Sequence, residues 1–171
     1  MAHKRLTTLS IGSISEGTLN PADLIGWYLY EAERLRLTRA ERATVRRIRF
    51  WDNQHNPSAC RPSGEYRKWD SAEWDEHAHE HVETLADILS AHVPDYCYFG
   101  STEGDGACIG VWPSFDMLDG YHDNDVARVS DTSELRDLSK GYSHALHVNG
   151  HGNCTLYRRA GNQWRKVWSV V

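Results

Sequence analysis

The chain has 171 residues, a net charge of −5 and an aromatic share of 11%, with seven Trp and eight Tyr. That length can bury a core without disulfide staples, and such aromatic content excludes a disordered chain. No segment is apolar for long enough to span a membrane and the first residues lack a signal-peptide run, so a cytoplasmic protein with no membrane partner is expected.

The charge is strongly segregated. Residues 1–33 carry −2, residues 34–68 carry +7, residues 69–137 carry −15 and residues 138–171 carry +5. Blocks of one sign are either faces that meet each other or fields that attract a partner. The four cysteines (Cys60, Cys97, Cys108, Cys154) show no C-x-x-C spacing, so buried reduced thiols are expected. Cys97 and Cys108 fall on adjacent predicted strands, which makes them candidate neighbours.

In chain order, Leu6 to Ile11 alternates as a first strand, and Gly12 to Leu19 reads as a loop. Asn20-Pro21 opens a helix: Asn caps free amides, Pro suits the first helical position, and Asp23 favours the positive end of the dipole. Leu24, Tyr28, Ala32 and Leu35 give that helix its buried stripe. Thr38 and Glu41 form a capping box for a second helix, ending near Trp51. Pro57, Pro62 and Gly64 mark a flexible loop near residues 52–68.

Asp70 and Glu73 cap a third helix, with Trp69 and Trp74 placed as a hydrophobic staple. It buries Trp74, Ala78, Val82, Leu85 and Leu89, and Pro94 ends it. Asp95 to Ser114 then reads as two strands around an acidic, glycine-rich turn, with positive backbone angles expected at Gly104 and Gly106. Ser114, and Asp131 with Glu134, cap short helical turns. Ser143–Asn149, Cys154–Arg159 and Trp164–Val170 form an antiparallel meander. The expected fold is one α+β domain over residues 1–171, an antiparallel sheet of about five or six strands with three main helices packed on it.

Three stretches carry a family resemblance: IGSISEGTLNPADLI (11–25), YCYFGSTEGDGACIGVWPS (96–114), and VNGHGNCTLYR (148–158) with the WSVV ending. They are similar to a family of small proteins encoded by bacteriophages and other mobile elements. The resemblance implies a setting at the phage–host interface and transfers no catalytic residue.

Four constellations bear on chemistry. His77-Ala78-His79-Glu80-His81 contains H-x-x-E-H, in which two His one turn apart bind zinc beside a glutamate. Without a third ligand, His77 and His81 read instead as a solvated face. His144, His147, His151 and Cys154 fail as a ligand set, because strand alternation turns His144 and His147 to opposite faces. Glu103 and Asp105 hold Mg²⁺, do acid–base work, or serve only the turn. Tyr98 and Trp112 flank that turn as aromatic anchors, and with Glu103, Asp105 and His151 they are the candidate binding residues.

On the second helix, Arg39, Arg42, Arg46 and Arg49 fall at i, i+3, i+7 and i+10. This basic stripe contacts nucleic acid phosphates, meets Asp75, Glu76, Glu80 and Glu83 of the third helix, or simply faces water. The acidic middle favours a host protein or protein–nucleic-acid complex as partner over direct nucleic-acid contact. The leading expectation is a non-enzymatic interaction protein without cofactor, acting in the host cytoplasm as an inhibitor of a defence system such as CRISPR–Cas. The alternatives are a small metal-dependent hydrolase or nuclease, and an immunity-type protein for a toxin.

Overall fold

A computed structural model describes residues 5–55, 71–118 and 126–171. The fold is α+β, with two sheets in place of one. Strand β1 (Gly12–Ser15) and the hairpin of β2 (Cys97–Thr102) and β3 (Asp105–Pro113) make a three-stranded sheet in the order β1-β3-β2. Strands β4 (Val126–Val129), β5 (His144–Val148), β6 (Cys154–Ala160) and β7 (Gln163–Val170) make a four-stranded sheet in that order. The chain divides into two compact units, residues 1–93 with 97–113 and residues 94–96 with 114–171.

In the first unit, helix α1 (Pro21–Arg34) begins as its sequence dictates. Asn20 Oδ1 accepts the Ala22 N–H at 3.1 Å, and Pro21 occupies the first turn. Leu24, Tyr28, Ala32 and Leu35 are all buried, with Ile25 and Leu29 filling the same face. Helix α2 (Arg39–His55) opens on a reciprocal capping box. Glu41 Oε2 accepts the Thr38 N–H at 2.7 Å, and Thr38 Oγ1 accepts the Glu41 N–H at 3.2 Å. It runs one turn past Trp51, so residues 52–55 are helical rather than the start of a loop; residues 56–68 lie outside the described part. So do Trp69, Asp70 and the Glu73 side chain, and with them the expected cap and staple of the third helix.

Helix α3 (Ser71–Ser90) packs chiefly along α1 and also touches β2. Trp74, Ala78, Leu85 and Leu89 are buried as expected, whereas Val82 is half-buried and Ile88 joins the core in its place. Tyr28 meets Phe99 of β2 edge-to-face at 5.1 Å, which joins α1 to the sheet, and Val111 and Ile109 of β3 are buried as well. Burial pushes the Tyr28 phenol up to about 12.

The predicted first strand is displaced. Leu6 to Ser10 threads past the helix ends, where Leu6 exchanges backbone bonds with Arg34 and Arg36 and Leu9 N–H bonds His92 O. The strand is Gly12–Ser15, in the stretch read as a loop, and Ser13 lies opposite Gly110. A Cβ at Gly110 would run into the Gly12 backbone, so glycine there is what lets β1 approach. Cys97 stands opposite Pro113, not Cys108, and Cys97, Cys108 and Cys154 form no disulfide among the described residues.

In the second unit β4 pairs parallel with β5, a pairing the sequence reading lacked, while β5, β6 and β7 form the expected antiparallel meander. Ala127, Val129, Leu135 and Ala145 make a core against which Tyr142, Tyr157 and Trp164 pack. The Asp131–Glu134 box caps a 3₁₀ turn over Thr132–Asp137, and Ser114 caps the short helix α4 (Phe115–Leu118). Among the described residues, no helix is long and apolar enough to cross a membrane.

Candidate functional site

The hairpin tip is a bulged turn. Thr102 pairs with Asp105 across Glu103-Gly104, and register is regained only at Ser101 and Ile109. Gly104 has φ +83°, the left-handed region, but Gly106 has an ordinary φ, which corrects the expectation that both glycines need positive angles. Asp105 Oδ1 accepts the Ala107 N–H at 3.0 Å, and Ser101 Oγ donates to Gly106 O at 2.9 Å. One acid is thus engaged in shaping the turn, while Glu103 and Asp105 both remain exposed.

Tyr98 and Trp112 face each other across the two strands. The Trp112 indole N–H donates to Gly100 O at 3.0 Å, so its polar end is used within the hairpin. The Tyr98 hydroxyl donates to Ser101 O at 3.3 Å. His151 lies in the other unit, in the β5–β6 turn. There Asn149 Oδ1 accepts the N–H groups of both His151 and Asn153.

Beside the tip stands a feature the sequence reading did not single out. The Gly17 N–H donates to Ala107 O at 3.1 Å, which fastens the β1–α1 loop to the bulge. Gly17 takes φ +73° to turn there. The next residue, Thr18, donates from Oγ1 to Asp23 Oδ2 at 2.9 Å. These two residues, with Gly26, Trp27 and Tyr30, line an open cavity of about 430 Å³ on the outer side of α1. Trp27 is 51% exposed and Tyr30 54%, and neighbouring Leu19 is 61% exposed. The Arg34 guanidinium lies 5.3 Å from the Tyr30 ring centroid and is held by Glu31 at 2.9 Å. Trp27, Tyr30 and Arg34 recur at i, i+3 and i+7, one stripe facing away from the core. The available signal was that Trp27 and Tyr30 fall off the buried stripe of α1.

On α3, Asp75, Glu76, Glu80, Glu83 and Asp87 are all exposed. His77 is exposed near Glu80, at 3.8 Å. His81 instead packs edge-on against Trp51 at 4.5 Å, and Trp51 stacks on Trp74 at 6.2 Å. That burial draws the His81 pKa below its ordinary value of 6.5. Among the described residues no three His, Cys, Asp or Glu side chains group so as to hold a metal. Arg49 pairs with Glu33 at 2.9 Å and Asp52 at 3.6 Å, both outside α3.

In the second unit Asp95 Oδ2 lies 3.2 Å from His144 Nε2, and His144 Nδ1 lies 2.8 Å from Ser143 Oγ. This Ser–His–Asp chain joins the adjacent Ser143 and His144 to Asp95, far away in sequence. Arg158 Nη1 shares the same Asp95 oxygen at 3.3 Å, and the Trp168 indole N–H donates to Asp95 O at 2.8 Å. Tyr96, at φ +58°, sets its ring edge-on to His144. Together these bonds clamp residues 94–96 to β5, β6 and β7 and hold a strained backbone in place.

Comparison of the chain with protein-family models, with curated proteins and with solved structures finds no match.

Proposed function

We propose that this protein is a non-enzymatic interaction protein that binds a partner protein through the outer face of α1 and the adjoining hairpin tip. The observation that carries this reading is the exposed Trp27–Tyr30 pair around an open cavity of about 430 Å³. Trp, Tyr and Arg are the residue types that dominate binding energy at interfaces, because each offers a large, stiff surface with a polar handle. The exposed acids of the tip lie on the hairpin to which the Gly17 N–H fastens the β1–α1 loop, whereas Tyr98 adjoins Phe99 and so takes the other face of the sheet. The exposed carboxylates of α3 supply a negative field that speeds encounter with a basic partner.

The sequence resemblance supports a phage or mobile-element setting, with a host protein or protein–nucleic-acid complex in the host cytoplasm as the partner. An inhibitor of a defence complex such as CRISPR–Cas fits an acidic surface that competes for a nucleic-acid channel; an immunity-type protein uses the same physics. The test is affinity capture from a bacterial lysate, followed by quantitative binding of the recovered partner to wild type and to Trp27→Ala/Tyr30→Ala. Capture that the double variant retains in full would rule out this face.

A further inference from the structure

Sequence spacing draws Arg39, Arg42, Arg46 and Arg49 as a line along α2. Three of them line one cavity. Arg42, Arg46 and Arg49 meet Arg5, from the N-terminal segment, around a cavity of about 240 Å³ that Arg39 does not line. Leu35, Leu37 and Val45 give it an apolar wall, and Glu33 is its one acidic lining residue among those described. It shares no lining residue with the α1 cavity.

The four guanidinium groups are not equivalent. Glu33 meets Arg49 through both oxygens, at 2.9 and 3.1 Å, and neutralises it while fixing its position. Arg42 is held by a bond from Nη2 to Leu37 O at 2.9 Å, and its Nε is a buried donor with no acceptor among the described residues. Such a buried donor costs free energy. Arg46 and Arg5 are exposed. Among the described residues, Arg5, Arg42 and Arg46 therefore line one concave site without a paired carboxylate, beside an apolar wall.

We propose that this cavity binds the phosphoryl group of a small organic molecule of the nucleoside monophosphate class. A dianion with three outward oxygens matches three guanidinium groups, whose planar forks bond oxyanions in pairs. The wall of Leu35, Leu37 and Val45 receives the carbon part of the ligand. A nucleic acid backbone would instead need the extended line of charge that Arg39 continues and the cavity does not.

The experiment is calorimetric titration at low salt with inorganic phosphate, with adenosine monophosphate, and with a short single strand lacking terminal phosphates. One phosphate or one nucleotide should bind per chain, the nucleotide more tightly. The exposed Arg46→Ala variant should lose about tenfold or more in affinity for both, as expected for a charge-assisted bond. Arg42→Ala should lose at least as much, provided its melting curve shows a folded chain, and Arg39→Ala should bind as wild type does. Absence of saturable phosphate and nucleotide binding would overturn the proposal. So would an Arg39→Ala loss equal to that of Arg46→Ala, or strand binding that neither small ligand displaces.

Discussion

The Gly17 N–H reaches the Ala107 carbonyl at 3.1 Å, and this bond makes neighbours of two features far apart in sequence. It sets the loop that carries Thr18 and Leu19 against the bulge of the hairpin. The acidic hairpin and the loop that leads into α1 are thereby fastened to each other within the first unit.

The glycines of that unit have separable roles. Gly104→Ala should cost about 1 kcal/mol or more, because its φ of +83° strains any side chain. Gly106→Ala should be nearly neutral, since its φ is ordinary and a Cβ there meets nothing within 4 Å. Gly110→Ala should be the worst of the three, at about 1–3 kcal/mol for overpacking against Gly12, and should loosen β1. Urea denaturation of the three variants tests the order.

Acid should weaken the first unit through two groups. The Thr38 bonds hold the Glu41 carboxyl below its usual value. Its contribution is therefore present above the ordinary carboxylate range and lost as pH falls through the lowered value. Burial against Trp51 lowers His81, so the folded chain resists its protonation, and stability begins to fall below 6.5. Glu80 and Asp52 oppose that shift, and Arg47 and His77 reinforce it. NMR titration should find His81 below 6.5, and Trp51→Leu should bring it back toward that value. An unshifted His81 in wild type would contradict the packing described.

The Ser143–His144–Asp95 chain should behave as a clamp. Asp95→Asn and His144→Ala should each destabilise the second unit by about 1–3 kcal/mol, through loss of charge-assisted bonds. A serine-directed fluorophosphonate should leave Ser143 unmodified. Labelling at Ser143 that His144→Ala abolishes would make the chain catalytic instead.

Most helices and the meander were legible because their signals are local. Asn20-Pro21, the Thr38–Glu41 box and the Asp131–Glu134 box each act within a turn, and the stripe from Leu24 to Leu35 has helical period. β1 was not legible, since Gly-Ser-Ile-Ser has weak strand propensity and its pairing depends on Gly110, about a hundred positions on. The parallel pairing of β4 with β5 carries no turn signal, so two sheets read as one. The α1 cavity went unread because periodicity marks the buried side of a helix and is silent on aromatics left outside it. The arginine cavity needed Arg5, which only the fold brings to α2.

At the hairpin tip, binding and hydrolysis predict different responses. Glu103→Gln and Asp105→Asn keep the fold, because the Asn carbonyl can still accept the Ala107 N–H. In a binding protein they weaken association in a graded way that fades with salt, since exposed charges are screened over about 8–10 Å. In a metal-dependent hydrolase either would abolish turnover with Mg²⁺ or Mn²⁺.

The most direct measurement is partner affinity across the α1 face, wild type against Trp27→Ala/Tyr30→Ala, with folding of the variant checked by circular dichroism. The account predicts a loss of about thirtyfold or more, the cost of truncating an interface anchor, carried mostly by faster dissociation. Unchanged affinity in a folded double variant would contradict it.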